Sequence, residues 1–175
     1  MPRAPTDAAR TRSRPGRKPQ STEPTPAELI DLPGHYIRRL QQIAVAIFLE
    51  ETGIFGITPV QFAALDTVRR QPMLDQRTLA RSIGFDTSTI AGVVDRLERR
   101  SLLVRNTSAD DRRVRLLALT AAGEALLAAV RPATLKAQQR ILEPLSPADQ
   151  ARFMAMLRVL VQANNALSRA PSDGG

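Results

Sequence analysis

The sequence contains no cysteine and a single histidine, His35. Without cysteine, the chain forms no disulfide, thiolate metal site, cysteine nucleophile or thiol-based redox sensor. A histidine-built metal site or a Ser/His/Asp triad is excluded unless His35 stands at its centre. These absences predict a protein that is not an enzyme and that binds no metal or cofactor.

Long apolar runs are missing as well. No stretch of the sequence approaches the roughly 20 apolar residues that span a bilayer. The basic N-terminus has no apolar segment behind it, as a secretory signal requires. We therefore expect a cytoplasmic protein that lies on the nucleoid and makes no contact with a membrane.

Positive charge is in excess: 25 lysines and arginines face 17 acidic residues, a formal net charge of +8. Such a balance favours a polyanionic partner, although basic surfaces also keep proteins soluble. Residues 1–26 are rich in proline, arginine, serine and threonine and predict a disordered basic arm. The arm suits a DNA backbone or minor groove, and a solvated tail without a role is an equal alternative.

The remaining residues predict a mainly α fold with one small β-hairpin. Capping residues and helical apolar spacing indicate helices over 25–32, 35–51, 59–70, 76–83, 86–100, 121–145 and 146–167. Two short runs predict strands, at 103–105 and 113–119. The expected organisation is N-terminal helices for dimerisation and ligand binding over 27–57, a winged helix-turn-helix over 58–120, C-terminal dimerisation helices over 121–167 and a flexible tail over 168–175.

The helix predicted from Asp86 to Arg100 has two unlike faces. Its apolar face consists of Ile90, Val93, Val94 and Leu97. The opposite face holds the candidate DNA contacts Ser88, Thr89, Gly92, Asp95, Arg96 and Arg99. Short hydroxyls and long donors suit a major groove. A mid-helix glycine costs about 0.8–1 kcal/mol against alanine and suits close approach to a base or phosphate. An ordinary surface helix is the alternative.

A short helix, a turn at Gly84 and this second helix form a helix-turn-helix. A basic hairpin follows, with candidate DNA contacts at Arg105, Arg112 and Arg113. Arginine suits a narrow minor groove because the groove concentrates negative potential. Asp111 can pair with Arg113 and fix its direction. A solvated charged turn is the usual alternative for such a run.

Between Leu79 and Gly123 the sequence resembles the MarR family of transcriptional regulators. The resemblance is carried by Asp86-Thr-Ser-Thr-Ile, Val94-Asp-Arg-Leu-Glu98, Leu103-Val-Arg105, Asp110-Asp-Arg-Arg113 and Leu119-Thr-Ala-Ala-Gly123. It implies a triangular homodimer with intertwined terminal helices. It also implies that Arg113 is the wing-tip arginine and Asp111 its orienting acid. Ser101 departs from the family, which frequently has glycine there.

A homodimer is also expected because the last two helices carry more apolar surface than a small winged core can cover. Two-fold pairing sets two recognition helices about one DNA turn apart, ~34–36 Å, which predicts a pseudo-palindromic operator. The alternative is that these helices simply complete the core of a monomer.

The resemblance further implies a small aromatic acid that releases the protein from DNA. Candidate ligand residues stand together near the start of the first long helix: His35, Tyr36, Arg38 and Arg39. A guanidinium suits a carboxylate, and an aromatic or apolar wall suits a ring. Arg38 and Arg39 suit a surface or dimer salt bridge equally well. The predicted function is a repressor controlled by an aromatic acid, and the alternative is a constitutive or architectural DNA-binding protein without an effector.

Overall fold

A computed structural model of the chain describes residues 31–108 and 114–168. The chain divides into two compact units, Met1–Tyr36 and Ile37–Gly175, and only residues 31–36 of the first are described. The predicted basic arm, the helix predicted over 25–32 and the tail beyond residue 168 therefore lie outside the described residues. The same holds for residues 109–113, which include the predicted wing-tip residues Asp111, Arg112 and Arg113.

The elements follow the predicted order. In chain order they are α1 (Pro33–Thr52), α2 (Pro59–Arg70), α3 (Gln76–Ser82), α4 (Thr87–Arg99), β1 (Leu103–Thr107), β2 (Arg115–Leu119), α5 (Ala121–Leu142) and α6 (Pro147–Ala163), with 3₁₀ turns at Gly53–Phe55 and Asn165–Leu167. The mainly α fold with one antiparallel hairpin is confirmed.

Several helix ends differ from the prediction. Helix α1 begins at Pro33, two residues earlier than expected, because proline fits the first helical turn, where its missing N–H has no partner to lose. Helix α5 ends at Leu142 rather than Leu145. There the side-chain amide of Gln150 donates to the carbonyls of Leu142 (3.1 Å) and Leu145 (3.0 Å). Helix α6 ends at Ala163, and only a 3₁₀ turn continues to Leu167.

The N-terminal caps predicted for three helices are confirmed. Thr58 and Gln61 form a reciprocal capping box at α2. Asp75 accepts from the amides of Arg77 and Thr78 at the start of α3. Ser146 accepts from Asp149 at the start of α6. Each cap satisfies amide groups that a helix leaves without an internal partner.

The core lies where α2, α3, α4 and the hairpin meet. The predicted apolar stripe of α4 is confirmed, since Ile90, Val93, Val94 and Leu97 are all fully buried. They pack with Leu65, Leu79, Leu103, Leu117 and Val130 in one cluster. Helix α6, by contrast, has no buried residue.

The hairpin returns to the end of α4 through a tight polar connection. The hydroxyl of Thr120 donates to the carbonyl of Ser101 (2.6 Å), and the amide of Thr120 donates to the carbonyl of Leu102 (3.3 Å). A Cβ atom added to Gly123 would lie 2.1 Å from that Leu102 carbonyl oxygen. Only glycine fits this position, so the start of α5 lies directly against the start of β1.

Within the described residues, no single helix is long and apolar enough to cross a membrane. The pair Pro33–Phe55 and Pro59–Arg70 meets the length and composition requirement together, but a bend of 71° separates the two.

Candidate nucleic-acid interface

Asp86 fixes the start of α4 and also binds two of the predicted DNA-contacting residues. Its carboxylate accepts from the Thr89 amide (2.8 Å) and from the hydroxyls of Ser88 (2.5 Å) and Thr89 (2.6 Å). The bond from Ser88, followed by those from Thr89, holds the pKa of Asp86 well below its usual range. Since each hydroxyl has donated its hydrogen, what it still offers outward is acceptor capacity.

The outward face of α4 is open, as the two-faced sequence pattern predicts. Ser88, Thr89, Asp95, Arg96 and Arg99 are exposed, and Gly92 is half-buried. Arg99 donates to the carbonyl of Asp95 in its own helix (3.3 Å). Small hydroxyl side chains therefore occupy the first turn, and the long cationic side chains occupy the last two.

The packing around Gly92 leaves room for a side chain larger than hydrogen. A Cβ atom added there would meet only the Arg96 guanidinium at 3.5 Å, an ordinary van der Waals contact with a flexible side chain. The helix therefore carries the cost of a mid-helix glycine with no packing benefit inside the chain. The close approach of Gly92 to a base or phosphate stays a prediction.

Arg105 does not point outward as a free cation. Its guanidinium bonds to Asp95 (2.5 Å) and to Glu98, and it lies 3.5 Å from the Gln76 side-chain oxygen. Burial lowers the pKa of Arg105, but its bonds to Asp95 and Glu98 raise the pKa by more. Arg105 and Asp95 are thus paired with each other within the chain, and their contact with DNA stays a prediction.

Backbone hydrogen bonds also join the hairpin to the segment before α3, a contact that the sequence pattern does not indicate. Strands β1 and β2 pair from Leu103 with Leu119 to Thr107 with Arg115. The segment before α3 pairs with the outer edge of β2, where Met73 donates to the carbonyl of Leu117 and Leu117 donates to that of Leu74.

The predicted ligand residues lie in the first turns of α1. Tyr36 donates its hydroxyl to Asp31 (2.9 Å), and this bond raises the pKa of Tyr36. The ring of His35 meets that of Tyr36 edge-on at 5.7 Å. Arg38 and Arg39 are exposed. The described parts of the chain contain no cluster of three or more metal-ligating side chains.

A cleft of about 660 Å³ lies instead between α2 and α5. Its lining combines apolar and charged side chains: Phe62, Asp66, Arg69, Arg70, Glu124, Leu127, Ala128, Arg131, Thr134 and Leu135. Asp66 pairs with Arg69 and with Arg70, both at 3.0 Å. Across residues 31–108 and 114–168, Arg131 has no bonded partner. Arg131 is therefore the arginine that this cleft leaves available to an anion.

An amphipathic helix capped by Asp86, preceded by a short helix and followed by a hairpin anchored to it, defines a winged helix-turn-helix DNA-binding protein. Residues 57–114 match the sequence profile of the MarR family. The chain is 28% identical over 140 residues to the HTH-type transcriptional repressor NicR of Pseudomonas putida, covering 80% of this chain and 89% of NicR.

Solved structures agree with the sequence match. PcaV from Streptomyces coelicolor, determined in complex with its natural ligand, is 36% identical with a TM-score of 0.72, over 77% of this chain and 95% of PcaV. BpsR from Bordetella bronchiseptica, whose DNA binding is regulated by 6-hydroxynicotinic acid, is 30% identical with a TM-score of 0.72, over 75% and 94% of the two chains. The chain belongs to the MarR family of DNA-binding transcriptional regulators.

Proposed function

We propose that the protein is a homodimeric repressor that leaves a pseudo-palindromic operator when a small aromatic carboxylic acid binds. The observation that carries this proposal is helix α4, which buries one complete face and leaves hydroxyls, a glycine and two arginines on the other. NicR, a named repressor, and BpsR, with its 6-hydroxynicotinic acid, support the repressor and effector parts.

We assign base contacts to Ser88, Thr89 and Arg96 and phosphate contacts to Arg99. Because the hydroxyls of Ser88 and Thr89 have donated to Asp86, they read amino groups, such as those of adenine or cytosine, as acceptors. Gly92 permits the backbone to approach. Arg112 and Arg113 stay predicted wing contacts and Asp111 stays the predicted orienting acid; all three lie outside the described residues.

Selection of duplexes from a random library tests the DNA part. We expect enrichment of an inverted repeat with half-sites one helical turn apart. Arg96→Ala should change the preferred bases, whereas Arg99→Ala should weaken binding to all sequences alike. Arg152→Ala, an exposed residue near the start of α6 that lies outside the assigned contacts, serves as the control. Failure of any motif to enrich would contradict a sequence-specific regulator.

The dimer is proposed from helix α6. Its apolar side chains Met156, Val159, Leu160 and Val161 are each more than half exposed. A contiguous apolar helix face of this kind marks an interaction surface. We expect sedimentation to give a dimer, and Val159→Glu combined with Leu160→Glu to give a monomer that binds the selected duplex much more weakly. A wild-type monomer at micromolar concentration would contradict the proposal.

We propose the cleft between α2 and α5 as the effector site. Arg131 binds the carboxylate, because it has no bonded partner in the described residues, whereas Arg69 and Arg70 share the carboxylate of Asp66. Phe62 and Leu127 line the cleft and form apolar walls for a ring. The residues predicted from sequence, His35, Tyr36, Arg38 and Arg39, stay the alternative site, although the Tyr36 hydroxyl is already engaged by Asp31.

Thermal shift and duplex release with 6-hydroxynicotinic acid, 4-hydroxybenzoate and nicotinic acid test the effector part. Arg131→Gln should abolish stabilisation and release by the active compound. The control, Arg38→Gln, should keep both. Loss of the response in Arg38→Gln alone would place the site on α1. Absence of any response in the wild type would favour a constitutive DNA-binding protein.

A further inference from the structure

Residues 50–56, here called the junction, connect the end of α1 to the segment before α2. Acidic side chains hold the junction to α5. The carboxylate of Glu51 pairs with Lys136 (3.0 Å) and with Arg140, and that of Glu50 lies 3.3 Å from Arg140. The side chain of Glu51 is only 11% exposed, against 69% for Glu50. Glu51 is therefore the principal link between the junction and α5.

A second set of contacts joins the junction to the recognition helix. Arg100 caps the C-terminal end of α4 with its own amide. Its guanidinium donates to the carbonyl of Gly56 (2.7 Å) and to that of Phe55 (3.2 Å). These bonds span more than 40 residues of sequence. The planar guanidinium suits two adjacent carbonyls, which the single ammonium of lysine does not match.

Contacts hold the residues on both sides of the 3₁₀ turn Gly53–Phe55. Thr52 is fully buried, and its hydroxyl donates to the carbonyl of Phe48 (2.7 Å). Gly56 takes a left-handed conformation with φ of 57°, and Ile57 directly after it is buried in the core. Anchored residues therefore stand on both sides of this turn, at Thr52 and at Ile57.

We propose that Arg100 is a positioning residue that couples α5, through Glu51 and the junction, to the placement of α4 on DNA. The proposal rests on the proposed role of α4 as the recognition helix. The same coupling would connect effector binding in the cleft to the position of α4. Lys136 and Arg140 follow Arg131 on α5 by five and nine residues, about 8 and 14 Å along the helix axis.

A double-mutant cycle tests the coupling. Glu51→Gln and Arg100→Gln are made alone and together, and affinity is measured on the duplex enriched by selection. If one path joins the two residues, their effects on affinity should be non-additive by roughly 3- to 10-fold. Asp149→Asn, an exposed acid that pairs with Arg152 within α6, replaces Glu51→Gln in a control cycle that should be additive. Additive effects of Glu51→Gln and Arg100→Gln would overturn the proposal and indicate that Arg100 contacts phosphate directly.

Hydrogen exchange of the α4 amides gives a second measurement that needs neither operator nor effector. Glu51→Gln should speed exchange in the last turn of α4 in the wild-type background and leave it unchanged with Arg100→Gln. Arg100→Lys should change amide exchange in the last turn of α4 as Arg100→Gln does. Equal exchange changes in both backgrounds would overturn the coupling. A failed duplex selection would contradict the proposed function, whereas the exchange measurement would still decide the role of Arg100.

Discussion

Arg105 of β1 binds Asp95 of α4, with 2.5 Å between its guanidinium nitrogen and the carboxylate oxygen. The same guanidinium reaches Glu98 one turn later. The base of the wing is thereby attached to the outward edge of the recognition helix. A guanidinium shared by two carboxylates carries little net attraction for a phosphate, so we expect Arg105 to orient the wing more than to contact the duplex.

The salt dependence of DNA affinity in Arg105→Gln should tell whether Arg105 orients the wing or contacts a phosphate. We expect weaker affinity for the selected duplex, because the wing loses its attachment, and a loss of about 1 kcal/mol in the free energy of unfolding for a partly exposed ion pair. The slope of log affinity against log salt concentration should stay unchanged. Arg99→Gln should reduce that slope by about 1, as expected for a lost phosphate contact. A reduced slope for Arg105→Gln would indicate instead that Arg105 contacts a phosphate directly.

Gly92→Ala should separate stability from binding. The added methyl group meets only a flexible arginine, so unfolding should become less favourable by about 0.8–1 kcal/mol. Affinity for the selected duplex should fall at the same time, because the methyl group stands where the backbone approaches DNA. Gly34→Ala, also in open space, should leave affinity unchanged. An unaltered affinity for Gly92→Ala would remove the close approach from the mechanism.

Ser101 takes a left-handed conformation with φ of 56°. A residue with a Cβ atom is strained there by roughly 1–2 kcal/mol, a cost that glycine avoids. Ser101→Gly should therefore raise the melting temperature by about 2–4 °C per kcal/mol relieved, with unchanged affinity for the duplex. Ser101→Ala keeps the strain and should show no gain. Equal melting temperatures for the glycine and alanine variants would contradict the strain.

The pKa of Asp86, held below its ordinary value of 3.8, gives a pH prediction. A carboxyl group with a depressed pKa stabilises the fold above its unfolded pKa, and this contribution disappears as pH falls through the folded pKa. Wild type should therefore be more stable than Asp86→Asn at neutral pH, and the difference should shrink below about pH 4. Parallel curves of unfolding free energy against pH would contradict a charged cap.

Local signals account for what the sequence predicted well. Asp86 and Asp75 are caps because a carboxylate before a helix satisfies amides only two or three residues away. Ile90 and Leu97 are core because helical spacing places them on one face whatever they pack against. The Ser101 position was noted as unusual because the family frequently has glycine there, and its left-handed backbone supplies the physical reason.

The contacts that the sequence does not indicate join residues that are far apart in the chain. Nothing near Arg105 in the sequence indicates that two carboxylates of α4 face it, so its local surroundings suggest an unpaired cation. Arg131 lines the same cleft as Asp66 only because folding places α5 against α2, and their separation by 65 residues in the sequence gives no sign of this.

The sequence by itself determined the order of the helices, their caps, the buried face of α4 and membership of the family, because each depends on residues within a few turns of one another. The tertiary structure alone decided which charged groups are satisfied and which are open to a partner. Ion pairs such as Arg105 with Asp95 and Arg140 with Glu51 form between side chains that only folding brings together, and the spacing of these residues along the chain does not indicate them.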